Sequence, residues 1–240
     1  MEAVVKFLIY FLHGASWLAK SINRHSYTLA ATVVLFFSYS THTISYASEK
    51  LVVIGSSTAA GIGASSLETS WVGLFKKWAK ENRDWNVENL AAPGALTQEA
   101  TCTTPHSVTQ KAFELGAKYI ILSYPSNDAV AGVTPEQSIE HIRSVIQCAA
   151  AKGVKIILLS TLPRSGLTPQ QRKMITQVDD AIKAEAGGCF IDVKNQLSDA
   201  SGLNPRLSFS AGDGIHFNDS GHAALFRLVR NFIIKNSHCA

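Results

Sequence analysis

From residue 49 onward, the chain alternates between two patterns of apolar residues. Short apolar runs are typical of buried strands, and longer segments with apolar residues three or four positions apart are typical of amphipathic helices. The pattern predicts five strands: Lys50–Ile54, Asn86–Leu90, Tyr119–Ser123, Lys155–Ser160 and Phe190–Val193. It predicts helices at Ser70–Asn82, at Pro135–Lys152, from Thr168 to about Ala186 and from Ser220 to about Asn236, and a partly helical segment at about 97–115 that is interrupted near Pro105.

Strands and helices that alternate in this way form a parallel sheet with helices packed on both faces. No internal repeat and no linker-like segment interrupts the pattern after residue 47. The chain has 240 residues, of which 46% are apolar and 17% charged, and this is enough to bury one core. The sequence therefore predicts a single α/β domain over residues 48–240, with Ser70 and Ser220 as the N-caps of their helices.

The first 47 residues follow a different pattern. Three basic residues stand against one acid, and an uncharged stretch then runs from Ser26 to Ala47. Its end, Ser45-Tyr46-Ala47, offers small residues at the −3 and −1 positions of a cut before Ser48. This order is typical of a secretory signal, and the uncharged stretch is also long enough to span a bilayer. We therefore expect residues 1–47 to be a signal peptide or a membrane anchor, with the domain periplasmic, secreted or otherwise outside the cytoplasm.

Charge and glycine spacing bear on the possible ligands. The net charge is +4, and half of it lies in residues 1–47, so the remainder has neither the charge nor the basic stripe of a nucleic-acid-binding protein. Gly55, Gly61 and Gly63 do not match a dinucleotide-binding motif, and the sequence contains no G-x-x-x-x-G-K-[ST] phosphate loop. We expect no cofactor and no metal ion, since no cysteine pair has the close spacing of a zinc site.

Four cysteines follow Ser48: Cys102, Cys148, Cys189 and Cys239. An even number in an exported chain permits two disulfides with three possible connectivities. Cys148 lies near the end of a predicted helix and Cys189 at the start of a predicted strand, both at the same edge of the sheet. A Cys148–Cys189 bridge is therefore the preferred prediction, and free buried cysteines are the alternative.

Two polar motifs suggest nucleophilic catalysis. Ser57 lies in a small-residue turn directly after the first strand, at the carboxyl edge where open α/β sheets bind their ligands. Asp213 and His216 are three residues apart in a glycine-containing turn before the last helix. A serine hydroxyl needs a base to take its proton, and the base needs a third group to orient it. Either motif alone also fits an ordinary turn, and only their joint occurrence favours catalysis.

Other residues at the ends of the strands could assist. Gly94, after the second strand, could offer a backbone N–H to a developing oxyanion, and Asn127, after the third strand, could offer its side-chain amide. Arg164 and His106 could contact substrate, although a surface arginine and a solvated loop histidine are the simpler readings. His222, inside the final helix, is expected to pack or to form hydrogen bonds rather than to catalyse.

Together these residues resemble the sequence blocks of the SGNH, or GDSL-type, hydrolase superfamily. The blocks correspond to Gly55-Ser56-Ser57-Thr58, Ala92-Pro93-Gly94-Ala95, Pro125-Ser126-Asn127-Asp128 and Asp213-Gly214-Ile215-His216-Phe217, and the resemblance covers about residues 50–235. It implies a flavodoxin-like three-layer αβα sandwich with a five-stranded parallel sheet. It also implies Ser57 as nucleophile, His216 as base, Asp213 as its orienting acid, and an oxyanion hole formed by Ser57, Gly94 and Asn127.

Two positions depart from the family pattern. Ser56 stands where the family usually has Asp, and Pro125 stands where it usually has Gly. Neither position performs the acyl chemistry, but both shape the turns that hold the reacting groups, and so we expect these departures to affect the rate and the substrate fit.

The sequence therefore favours an exported serine esterase for short acyl groups, with a small ester or an O-acetylated glycan as substrate. A lysophospholipase or thioesterase of the same superfamily is the alternative, and a non-catalytic glycan-binding module is a second.

Overall fold

A computed structural model of the protein describes residues 48–124 and 126–240. Its strands are β1 (Lys50–Gly55), β2 (Asn86–Asn89), β3 (Ala117–Ser123), β4 (Lys155–Leu159) and β5 (Phe190–Ile191). The α-helices are α1 (Ser57–Ala60), α2 (Trp71–Arg83), α3 (Val108–Glu114), α4 (Ser126–Ala131), α5 (Pro135–Ala151), α6 (Pro169–Glu185), α7 (Lys194–Leu197) and α8 (Asp219–Lys235). Two short 3-10 turns lie at Thr97–Ala100 and Leu207–Phe209.

The five strands form one parallel sheet in the order β2-β1-β3-β4-β5. This is the flavodoxin-like order, and the predicted α/β class is confirmed. The chain leaves β1 to one side for β2 and returns to the other side for β3. The strand order therefore reverses between β1 and β3, which is where such sheets open a crevice at their carboxyl edge.

Alternate residues of the central strands supply the two halves of the core. Leu51 and Val53 of β1 pack into one cluster, and Val52 and Ile54 pack into the other, because successive strand residues point to opposite faces. The first cluster is covered by α2 and α8, and the second by α5 and α6. All four side chains are fully buried, and each stabilises the fold by about 1.5–3 kcal/mol. The central strands are thereby held rigidly, and so is the edge from which the polar loops emerge.

The predicted N-cap of α2 is confirmed, whereas that of α8 is wrong. Ser70 Oγ accepts a hydrogen bond from the Gly73 N–H (3.1 Å), as a capping serine does. At α8 the cap is Asn218, whose Oδ1 accepts from the Gly221 N–H at 3.0 Å, so Ser220 already lies in the first turn. Asn218 keeps an extended backbone here, and Asp219 follows in the first turn, where a negative charge is favourable.

The predicted Cys148–Cys189 bridge is also wrong. The disulfides join Cys102 to Cys148 and Cys189 to Cys239. Cys148 lies on α5, which covers one face of the sheet, whereas Cys189 packs against the cluster on the opposite face. The sheet therefore lies between the two residues.

The expected signal or anchor at residues 1–47 and the departure at Pro125 fall outside the described residues. In the part of the chain that the structure covers, no helix combines the length and the apolar character that crossing a membrane requires.

Candidate active site

Ser57 stands at the first position of α1, immediately beyond the carboxyl end of β1. The turn between strand and helix needs Gly55, because a Cβ there would lie 2.8 Å from the Ser123 carbonyl oxygen of β3. The backbone N–H groups in the first turn of a helix have no partner within the helix. The N–H of Ser57 therefore points out of α1 at the edge where the strand order reverses.

The turn before α8 brings Asp213 and His216 to the same edge. Asp213 Oδ2 lies 2.6 Å from His216 Nδ1, and His216 Nε2 lies 2.9 Å from Ser57 Oγ. The other carboxylate oxygen, Oδ1, accepts hydrogen bonds from the backbone N–H groups of Ile215 (2.9 Å) and His216 (2.8 Å). One carboxylate thus fixes both the backbone of the turn and the imidazole ring.

The charge on Asp213 determines which imidazole nitrogen carries the proton. Burial tends to raise the pKa of this carboxyl group, but the backbone N–H groups of His216 and Ile215 and the His216 ring outweigh it and hold the pKa at about 2. An ionised carboxylate only accepts hydrogen bonds, so Nδ1 of a neutral His216 donates to it. Nε2 is then the acceptor for the Ser57 hydroxyl. This is the arrangement in which serine can lose its proton to the ring.

The loop after α1 supports this turn through Gly63. Gly63 has φ +95°, and a Cβ on it would lie 2.3 Å from the Phe217 carbonyl oxygen and 2.9 Å from His216 Cβ. The backbone of this loop therefore lies directly against the histidine turn.

Gly63→Ala is expected to displace His216 and to lower kcat by about 100-fold, because a shift of about 1 Å in a catalytic group has an effect of that size. The measurement is the kcat of the ester hydrolysis that the family resemblance implies, with the melting temperature recorded in parallel. Gly116→Ala is the matched control, since Gly116 also has a positive φ (+79°) but open space around its Cβ position. Full activity in Gly63→Ala would contradict the role assigned to this contact.

Gly94 lies in a turn and Asn127 in α4, and hydrogen bonds connect this turn to both α4 and β1. The Ala92 N–H donates to the Gly55 carbonyl oxygen (3.1 Å), which holds the turn containing Gly94 beside the end of β1. Gly94 is exposed, with φ +81°, and nothing surrounds its Cβ position within 4 Å. Asn127, in α4, donates from Nδ2 to the Ala95 carbonyl oxygen at 3.1 Å. The structure thus brings both candidate oxyanion donors to the edge that carries Ser57.

The sequence analysis gave no role to Asp128, which follows Asn127 in α4 and is fully buried. Its carboxylate accepts hydrogen bonds from the Thr97 N–H (3.0 Å), the Thr97 hydroxyl and the Ser138 hydroxyl (2.5 Å). The Thr97 hydroxyl also contacts His141 Nδ1 at 2.9 Å. Asp128 therefore fastens the chain just after Gly94 to the helix that carries Asn127. In the sequence, only its position directly after Asn127, in the polar run Ser126-Asn127-Asp128, could have indicated that Asp128 has a role near the site.

Of the three other residues considered in the sequence analysis, only Arg164 lies at the cavity beside Ser57. Arg164 lines the cavity beside Ser57, whereas the structure does not bring His106 to that cavity. His106 is exposed in a loop that the Cys102–Cys148 bond ties to the later turns of α5, away from the end of α5 nearest the active edge. His222 is fully buried: its Nδ1 accepts from the Trp71 N–H (3.2 Å), and its Nε2 donates to the Ile62 carbonyl oxygen (3.2 Å). The expectation that His222 packs and forms hydrogen bonds is confirmed.

The cavity beside Ser57 is small, with a volume of about 20 Å³, close to the room that one water molecule needs. Its walls are mainly hydroxyl groups with one guanidinium and a few apolar side chains, including Ser56, Ser123, Tyr124, Ser126, Arg164 and Ile215. Burial raises the pKa of the Tyr124 phenol, so this hydroxyl stays neutral. The cavity lining therefore contains one permanent positive charge and no carboxylate.

Among the residues that the structure describes, one cluster away from this cavity has the spacing of metal ligands: Cys189, His238 and Cys239. Both sulfur atoms are joined in a disulfide, so neither is the thiolate that binds a metal ion. These three residues therefore do not fit a metal centre.

The chain is thus an α/β protein of the flavodoxin-like kind. At the carboxyl edge of its sheet, a serine, a histidine and an aspartate are in hydrogen-bond contact. Residues 53–224 match the GDSL-like lipase/acylhydrolase family. The chain belongs to this family and is a serine ester hydrolase.

Two similar proteins are also described as esterases. Esterase TesA of Pseudomonas aeruginosa is 28% identical over 188 residues, which cover 77% of this chain and 86% of that protein. A crystal structure of TesA superposes with a TM-score of 0.62 at 23% identity, over 77% of this chain and 98% of the other. A catalytic mutant of an acetylxylan esterase from Geobacillus stearothermophilus gives a TM-score of 0.61 at 16% identity, over 77% and 94% of the two chains. These two structural similarities concern the fold.

Proposed function

We propose that the protein hydrolyses carboxylic esters of short acyl groups, with Ser57 as nucleophile, His216 as general base and Asp213 as the group that orients His216. The observation that carries the proposal is the continuous chain of contacts from Ser57 Oγ to His216 Nε2 (2.9 Å) and from His216 Nδ1 to Asp213 Oδ2 (2.6 Å). Nucleophile, base and orienting acid are in contact in the order that such chemistry requires.

This geometry supports the following reaction. Ser57 Oγ attacks the acyl carbon while its proton passes to His216 Nε2, and the carbonyl oxygen becomes an oxyanion. The N–H groups of Ser57 and Gly94 and the Asn127 amide donate to that oxygen. The intermediate then collapses, the imidazolium protonates the departing alcohol, and Ser57 carries the acyl group. A water molecule activated by His216 releases the acid and restores the serine.

The cavity supports a short acyl group. Its volume of about 20 Å³ accommodates a group of roughly the size of a methyl, and its lining is rich in hydroxyls. An acetyl ester is therefore the substrate that we propose, and an O-acetyl group on a carbohydrate is one such ester. The acetylxylan esterase among the similar structures is consistent with this choice.

A longer acyl chain is the alternative, as in a lysophospholipase or thioesterase. Two exposed apolar side chains favour it: Ile62, in the loop between α1 and α2, and Leu207, which is 88% exposed and lies in the segment that leads to the Asp213 turn. An acyl chain longer than the small cavity would lie against apolar side chains such as these.

A glycan-binding module that does not catalyse hydrolysis is the second alternative. Only the departures from the family pattern at Ser56 and Pro125 favour it.

Export is part of the proposal. Two disulfides within the described residues are typical of proteins that fold in an oxidising compartment. We propose that residues 1–47 direct or anchor the domain formed by residues 48–240 outside the cytoplasm. The mass of the N-terminal peptide of the protein recovered from cells distinguishes cleavage before Ser48 from a retained anchor.

The test uses residues 48–240 with p-nitrophenyl esters of increasing acyl length and a fluorophosphonate that modifies activated serines. We expect kcat/KM to be highest for acetate, to fall at least about tenfold by octanoate, and the phosphonate to be found on the Ser57 peptide. The fall follows because methylenes forced into a cavity of this size displace its walls, and overpacking of this kind costs about 1–3 kcal/mol.

A preference for octanoate would favour the lysophospholipase or thioesterase alternative. Modification of another serine, with Ser57 unlabelled, would overturn the proposed mechanism.

A further inference from the structure

Arg164 occupies a fixed position in the site. It lies in the loop after β4, and its NH1 group donates a hydrogen bond to Asn127 Oδ1 at 3.1 Å. The next residue, Ser165, donates its N–H to the Gly214 carbonyl oxygen (2.8 Å), which ties this loop to the turn between Asp213 and His216. The Arg164 carbonyl oxygen in turn accepts from Arg172 NH1 at 3.4 Å. The loop is thus held on both sides, and the half-buried Arg164 side chain lines the cavity beside Ser57.

The hydrogen bond with Arg164 fixes the orientation of the Asn127 amide. A guanidinium has donors only, so it can pair with Oδ1 and not with Nδ2. The Ala95 carbonyl oxygen is an acceptor only, so it pairs with Nδ2. The two contacts select the same orientation of the amide, and they leave one Nδ2 hydrogen for a further acceptor. Arg164 thereby helps to hold Asn127, the proposed side-chain donor of the oxyanion hole, in the orientation that this role requires.

The charge of Arg164 has no counter-ion in the described residues. Their ion pairs involve Lys80 with Asp84, Arg143 with Glu140 and Glu185, and His216 with Asp213. The cavity beside Ser57 has no carboxylate in its lining, and Tyr124 there is neutral. One guanidinium N–H is used by Asn127, and the planar group can still offer two parallel donors to an oxyacid. A half-buried cation without a counter-ion, beside the reacting serine, has the chemistry of an anion-binding subsite.

We propose that Arg164 is a specificity residue that binds a carboxylate of the substrate next to the scissile ester. The inference rests on the proposed function, because it places this carboxylate relative to acyl transfer at Ser57. The carboxylate can belong either to the acyl part, as in a dicarboxylic half-ester, or to the alcohol part, as in an acetylated hydroxy acid or acidic sugar. In both cases the guanidinium can donate two parallel hydrogen bonds to the carboxylate, and these favour the anionic substrate over a neutral one of the same shape.

The test compares matched esters, each corrected for uncatalysed hydrolysis. For the alcohol part the pair is 4-acetoxybenzoate and 4-acetoxybenzamide, and for the acyl part it is p-nitrophenyl hemisuccinate and p-nitrophenyl valerate. We expect the kcat/KM ratio of anionic to neutral ester to exceed about 30 in at least one pair, the size of effect that a charge-assisted hydrogen bond gives. The pair that shows it identifies the part of the substrate that carries the charge.

Arg164→Gln is expected to bring that ratio close to one, and Arg164→Lys to leave an intermediate ratio, since it keeps the charge but loses the planar fork. The ratio cancels any loss that acts through Asn127 or through stability, because both members of a pair undergo the same chemistry. Arg230→Gln is the control: Arg230 lies on α8 and contacts Asn231, outside the site.

Hydrolysis of the neutral esters without a preference for either anionic ester would overturn the role of Arg164 and leave the serine esterase mechanism intact. A ratio that persists in Arg164→Gln would also overturn it. An absence of turnover with all four esters would overturn both this inference and the proposed function.

Discussion

Replacing Ser57 by alanine is expected to lower kcat for p-nitrophenyl acetate by about six orders of magnitude, with a much smaller change in KM. Removal of the nucleophile of a serine protease has an effect of this size, because the hydroxyl and the histidine act as a unit. Here Ser57 Oγ is the atom in contact with His216 Nε2, and no other side-chain hydroxyl of the described residues has a hydrogen bond to that nitrogen. The measurement is steady-state hydrolysis with the variant purified free of wild-type enzyme.

The neighbouring serine provides the matched control. Ser56 also lines the cavity, but its side chain forms no capping hydrogen bond to α1. Ser56→Ala is expected to retain activity within about tenfold, or about 1.4 kcal/mol, because the hydrogen bonds that link Ser57, His216 and Asp213 do not involve the Ser56 side chain. Both variants should melt within a few degrees of the wild type. If Ser57→Ala kept more than about 1% of the wild-type kcat, another residue would be the nucleophile.

The two disulfides are expected to have the largest effect on stability. They close loops with sequence separations of 46 and 50 residues, and a loop of this length corresponds to about 4 kcal/mol of stabilisation each in the chain-entropy account. This is a large share of the total free energy of unfolding of about 5–15 kcal/mol. The paired replacement Cys189→Ser with Cys239→Ser is therefore expected to lower the melting temperature by about 10 °C.

The measurement is thermal unfolding of the paired variants, together with peptide mapping of the oxidised wild type. Cys102→Ser with Cys148→Ser gives an independent comparison, because these residues lie in a different part of the fold. Neither bridge touches the Ser57 cavity, so kcat at 25 °C should change little in the variants that remain folded. Recovery of a peptide that links Cys148 to Cys189 would contradict the connectivity of the structure.

The elements and the motifs at their ends were readable from the sequence because both depend on short stretches of chain. The five strands follow from apolar runs, and the observed bounds differ by a few residues at most, as at β5, which ends at Ile191 rather than Val193. There the Val193 N–H turns back to the Ser160 hydroxyl at 3.0 Å. Ser57, Asn127 and the Asp213–His216 motif were found because each follows or precedes a regular element within a few positions.

Contacts between distant parts of the chain were decided only by the tertiary structure. The cysteine pairing depends on which face of the sheet each helix covers, and the strand and helix pattern does not contain that information. The fit of Gly63 against His216, the buried carboxylate of Asp128 and the hydrogen bond from Arg164 to Asn127 each join residues that are far apart in sequence or on different elements. The sequence by itself determined the elements, the family and the residues of the candidate triad. The tertiary structure decided their distances, the disulfides and the position of an uncompensated positive charge, because these depend on how the layers pack.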